Sequence, residues 1–84
     1  KMPVEDIRLR FSPLDGRFIK TLPIHTSQKI EETEEYVEVT LRLKITNDFV
    51  MALLSRSSSV EIPAPQSLKD RMNAIWAAAL ERNK

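Results

Sequence analysis

With 84 residues, 9.7 kDa, 42% apolar and 30% charged side chains, the chain has room for a single small domain and no large catalytic cavity. Thirteen Lys and Arg stand against twelve Asp and Glu, a net charge of +1, which excludes a generally polyanion-binding or acidic-tail protein and leaves partner choice to where the charges sit. The absence of Cys removes disulfide scaffolds, thiolate metal sites and thiol chemistry and fits a cytoplasmic setting, and no apolar run approaches the ~20 residues of a membrane span.

Ile7, Leu9 and Phe11 alternate with Arg8 and Arg10, the period-2 pattern of a strand with one apolar and one basic face. Ser12 and Pro13 then open a short helix to about Lys20, with Ser12 as N-cap, Asp15 placed to close a capping box, and Leu14, Phe18 and Ile19 expected on the sheet. Gly16 weakens that helix modestly, and Pro23 ends it. Residues 24–32 carry few apolar side chains, with Ile30 pointing inward, and read as an edge strand that begins near His25. The acidic turn Glu32-Thr33-Glu34-Glu35 leads into the clearest strand, where Val37, Val39, Leu41, Leu43 and Ile45 share one face and Tyr36, Glu38, Thr40, Arg42 and Lys44 the other. Those two strands form a hairpin.

Thr46 to Asp48 supply cap chemistry for a helix from about Asp48 to Arg56 with Phe49, Val50, Leu53 and Leu54 at 3.6-residue spacing. Residues 55–59 are a polar stop, and Val60 to Ile62 form a short strand ended by Pro63-Ala64-Pro65. Ser67 and Asp70 suggest a capping box for a final helix to about Arg82, with Leu68, Met72, Ile75, Trp76 and Ala79 along one stripe. The predicted fold class is α+β: a ferredoxin-like β-α-β-β-α-β sandwich with an additional C-terminal helix. Right-handed crossovers put the first and third strands in the centre and the second and fourth at the edges. Both repeat helices then cover one sheet face and leave the other open.

That open face is where chemistry is expected. Arg8, Arg10, Arg42 and Lys44, with Lys29 beside them, form a candidate anion or nucleic-acid surface, because a merely solvated face would mix its signs more evenly. Glu31, Glu38 and Glu61 supply some mixing, and the solvated reading stands beside the functional one. Four-stranded sheets of this topology also serve as RNA platforms, but those stack bases on aromatic side chains, and here only Tyr36 qualifies.

His25, the one histidine, sits with Thr26, Ser27 and Gln28. Metal binding needs three or four convergent ligands, and a catalytic triad lacks its nucleophile elbow, so His25, Ser27 and Gln28 are candidates for an interface or a ligand rather than for catalysis. Trp76, beside Ala77 to Ala79, either packs within the chain or anchors a dimer or interdomain contact. No catalytic residue, metal site or cofactor is expected.

The run from Val4 to Pro13, the box His25-Thr26-Ser27-Gln28 with Lys29-Ile30-Glu31, the strand from Val37 to Ile45, the segment Leu53-Leu54-Ser55 leading to Val60-Glu61-Ile62-Pro63, and Pro65-Gln66-Ser67-Leu68 together resemble the C-terminal extension (WCX) domain of WYL-domain bacterial transcriptional regulators. The likeness covers nearly the whole chain. The family's box usually reads His-Pro-Ser-Gln, so Thr26 departs from it. The Leu-Leu-Ser segment usually continues into Phe-Gly, where Arg56-Ser57 stand here. The resemblance implies a ferredoxin-like fold and a regulator whose WYL and extension domains sense an effector, in some members single-stranded nucleic acid, and whose extension helps build a homodimer. Operator DNA would then be read by a winged helix-turn-helix outside this chain. The start at Lys1-Met2-Pro3 agrees with residues 1–84 being the last domain of a longer polypeptide. An alternative reading is a small-molecule module of ferredoxin-like kind that assembles through sheet edges, with His25 and Gln28 near the ligand.

Overall fold

Strand β1 (Glu5–Phe11) is followed by α1 (Pro13–Thr21), β2 (Lys29–Glu32), β3 (Val37–Leu43), α2 (Asn47–Arg56), β4 (Glu61–Ala64) and α3 (Gln66–Arg82) in a computed structural model that describes residues 2–56 and 58–84. The sheet order is β2-β3-β1-β4 and every pairing is antiparallel. This is the ferredoxin-like order with a C-terminal helix, α+β in class. Alternation does the sorting: Ile7, Leu9 and Phe11 of β1 and Val37, Val39, Leu41 and Leu43 of β3 are buried, and α1, α2 and α3 add Ile19, Phe49, Val50, Leu53, Leu68 and Met72 to the same core. Among the described residues no helix is long and apolar enough to cross a membrane.

Helix α1 presents a different face from the one its spacing predicts. Ile19 and Gly16 are buried, whereas Leu14 and Phe18 are 62% and 60% exposed. The cause is backbone proximity: a Cβ on Gly16 would fall 2.6 Å from Val37 Cβ, so the glycine lets α1 settle on β3 and its neighbour Ile19 fills the core. Leu14 and Phe18, four residues apart, are thereby rotated outward and continue toward exposed Leu22. Ser12 caps α1 by accepting from Asp15 N at 3.2 Å. Ser59, beyond the far end of α2, completes the corner: its Oγ accepts from Ser12 N at 3.0 Å and donates to the Asp15 carboxylate. The predicted polar stop at 55–59 includes Ser57, which lies outside the described residues.

Three further boundaries differ from expectation. Residues 24–28 form a turn and not the start of β2, because Gln28 and Ser27 direct their side chains to the backbone, as described below. Strand β4 runs through Pro63, which an edge strand tolerates because one row of its N–H groups has no ladder partner; a register shift against β1 lies between Arg8 and Arg10. Helix α3 starts at Gln66 after an N-cap Pro65 that makes no side-chain bond. Ser67 therefore lies inside the first turn, and Asp70 accepts from Gln66 Nε2 at 2.9 Å in place of a capping box. Thr46 caps α2 as expected, its Oγ1 accepting from Phe49 N at 3.1 Å.

Candidate functional site

The register of the sheet decides which polar side chains meet on its uncovered face. Arg10 stands opposite Glu38, Arg8 opposite Thr40, and Asp6 opposite Arg42 across β1 and β3, while Lys29 of β2 stands opposite the same Thr40. Lys29, Thr40 and Arg8 thus form one row across three strands, with a small hydroxyl between two cations. No helix lies over this row, and Arg8 and Arg42 remain 48% and 66% exposed. A shallow hollow of about 330 Å³ collects Arg8, Lys29 and Arg42 with Asp6, Ser27 and Thr40.

Among the described residues, three of the five candidate cations have an acidic partner, and two carboxylates serve all three. Glu38 accepts from Arg10 Nε at 2.9 Å and from Arg8 Nη2 at 3.2 Å, and Asp6 accepts from Arg42 Nη1 at 2.8 Å. The Glu38 side chain is 16% exposed, and its carboxyl is held below the usual carboxylate range chiefly by the hydrogen bond from Arg10, against the opposing effect of desolvation, with Arg8 adding to the lowering. The same bond raises Arg10. Arg10 also lies over the Tyr36 ring, 4.8 Å from its centroid, a cation–π contact that covers the one aromatic on this face. Lys29 and Lys44 have no hydrogen-bond or ion-pair partner among the described residues. Lys44 lies past the end of β3 and not in the row, so of the five candidate cations Arg8, Lys29 and Arg42 meet around one hollow, Arg10 sits beside it, and Lys44 stands apart.

The His25 to Gln28 box is a brace at the end of the sheet. Gln28 Oε1 accepts from Ile24 N at 3.0 Å and its Nε2 donates to Ile19 O at 3.2 Å, closing the turn onto α1. Ser27 Oγ accepts from Arg42 N at 2.9 Å, tying the same turn to β3. His25 Nδ1 accepts from Ser27 N at 3.1 Å and sits 2.8 Å from Ser27 Oγ. A backbone N–H can only donate, so Nδ1 is assigned as the acceptor and the ring N–H to Nε2. Both Gln28 side-chain atoms and the Ser27 hydroxyl are spent on the fold.

Among the described residues no three metal-ligating side chains converge. The model of the WCX domain family matches residues 3–80. The chain belongs to the WCX domain family. No curated protein matches it.

In this WCX domain Thr26 follows His25 without contributing a side-chain hydrogen bond, and the turn closes through the Gln28 and His25 contacts around it, with Gln28 N donating to His25 O at 3.1 Å. Trp76 of α3 is 37% exposed and lines a cleft of about 390 Å³ beside β4 with Arg10, Ile62, Pro63, Lys69 and Asn73. It touches the edge of the cationic face rather than the core. Two features escape a reading of the WCX sequence. Glu38 as the shared acceptor of two arginines depends on a cross-strand register that no local pattern encodes. The Ser59 bridge to Ser12 and Asp15 joins positions more than forty residues apart, and its one visible signal is the Asp15 that also reads as a capping-box residue.

Proposed function

We propose that this WCX domain is a non-enzymatic regulatory module of a WYL-type bacterial transcriptional regulator in the cytoplasm. It communicates with a WYL domain, helps to form a homodimer, and offers its uncovered sheet face to a single-stranded nucleic-acid effector. Operator DNA is contacted by a helix-turn-helix that this chain does not supply.

The observation that carries this reading is the convergence of Arg8, Lys29 and Arg42 on one hollow of an uncovered sheet. Their ion pairs do not oppose it. The Arg42–Asp6 pair is exposed on both sides and contributes only about 0.2–1 kcal/mol, so exchanging Asp6 for a phosphate oxygen costs little, while release of condensed counterions favours the exchange. Trp76, 37% exposed at the edge of the face, gives a base a surface to stack on. The exposed row of Leu14 and Phe18 on α1 and Leu22 at its C-cap supports the dimer, since aligned apolar side chains are suited to a second copy or a neighbouring domain.

The test replaces Arg8, Lys29 and Arg42 by Ala and titrates the protein with single-stranded DNA at two salt concentrations. Affinity falls, and the slope of log affinity against log salt drops by about 0.7 for each phosphate contact removed. An unchanged affinity and slope would remove nucleic-acid contact from the account. For assembly, Phe18→Asp shifts the protein toward monomer in sedimentation velocity; an unaltered distribution would take α1 out of the interface.

A further inference from the structure

At the end of the sheet, between the 24–28 turn, the end of β3 and the start of α2, lies a hollow of about 590 Å³. Its volume falls in the range of small-ligand pockets, roughly 300–1,000 Å³, which combine an apolar lining with a few placed polar groups. The floor is Ile24, Leu43 and Phe49, and the rim carries His25, Lys44 and Asp48. Two of these rim groups are unspent. The Lys44 ammonium has no partner among the described residues. His25 is oriented through Nδ1 by Ser27, which leaves Nε2–H as a donor without an acceptor among the described residues. Arg42 also lines the hollow, with its guanidinium held by Asp6. Asp48 is the single acid in the lining, so the charge balance of the rim is positive.

We infer that this hollow binds a small amphipathic carboxylate, its apolar body on Phe49 and Leu43 and its carboxylate at the Lys44 ammonium and the His25 Nε2–H. The hydrogen bonds that fix the turn give the site its preorganisation: Gln28 holds Ile24 in the floor and Ser27 holds the imidazole, so neither side chain has to be reordered when the ligand arrives. A neutral apolar molecule leaves the two donors facing apolar surface, and a small anion without an apolar body leaves the floor in water. The inference is independent of nucleic-acid contact, because the recognised group is a carboxylate on a hydrocarbon body and the probe below carries no phosphate.

The experiment is an amide-resolved NMR titration of the ¹⁵N-labelled protein with 3-phenylpropionate, repeated with uncharged 3-phenylpropionamide. Saturable shifts at His25, Lys44, Phe49 and Ala52 with a dissociation constant of about 1 mM are expected. The amide, and the carboxylate on a Lys44→Gln variant, bind about tenfold more weakly, the loss of one charge-assisted hydrogen bond. Lys44 is exposed, so its replacement leaves the fold intact. As a second variant, Ala52→Leu narrows the hollow from α2 with a good helix former and abolishes the shifts. Equal binding of acid and amide, the absence of saturable shifts at these residues, or the same shifts produced by raising protein concentration without the probe, which would assign the hollow to a second copy, would each overturn the inference.

Discussion

Glu38 illustrates what one side chain does on this sheet. Its one carboxylate pairs with two arginines on the neighbouring strand, and its depressed pKa means that the unfolded chain binds its proton more readily than the folded one. The group therefore stabilises the fold above its ordinary pKa, and that contribution is lost as pH falls through its lower folded value. The prediction is that wild type exceeds Glu38→Gln in unfolding free energy at neutral pH, and that the gap closes below about pH 4.5, the ordinary value; chemical denaturation across pH checks it, and a gap independent of pH would contradict it. Gly16 acts by what it lacks. Ala in its place gains about 1 kcal/mol of helix propensity but drives a Cβ against Val37, an overpacking cost of about 1–3 kcal/mol. Net destabilisation with α1 lifted from β3 is expected, and a Gly16→Ala protein as stable as wild type would contradict the close approach.

At the scale of elements, the strands were readable because alternation is local, and the helix faces less so because they depend on what each helix packs against. Leu14 and Phe18 have the spacing of a buried stripe, yet Gly16 determines which side of α1 meets the sheet. The polar run at 24–28 looks like a weak strand in sequence, and its hydrogen bonds make it a turn instead. Those bonds are testable. Gln28→Ala leaves Ile24 N–H and Ile19 C=O without their partner and should cost about 1–3 kcal/mol, with faster amide exchange confined to residues 23–28. Thr46→Ala removes the N-cap of α2 and should cost about 1 kcal/mol, with fraying confined to that helix. If exchange rises evenly over the whole chain in either variant, the turn and the cap are not the local devices described here.

For the whole molecule, element order alone carried the topology: right-handed crossovers and the weak patterning of β2 place β1 and β3 in the centre, and the sheet follows that order. The candidate face was legible as a set of outward cations. Its balance by Asp6 and Glu38, the separation of Lys44 from the row, and the hollow beneath His25 were not, since each depends on how strands align and how the chain turns beyond β3. The face is a charge-paired surface rather than a bare positive patch, and we propose that its cations exchange carboxylate for phosphate. The most direct measurement of that claim is an NMR titration of the protein with a short oligothymidylate at low salt. Saturable shifts are expected along the row Lys29, Thr40 and Arg8 and at Arg42, weakening steeply as salt is raised; shifts confined to α1 and α2, or none that saturate, would contradict nucleic-acid binding at this face.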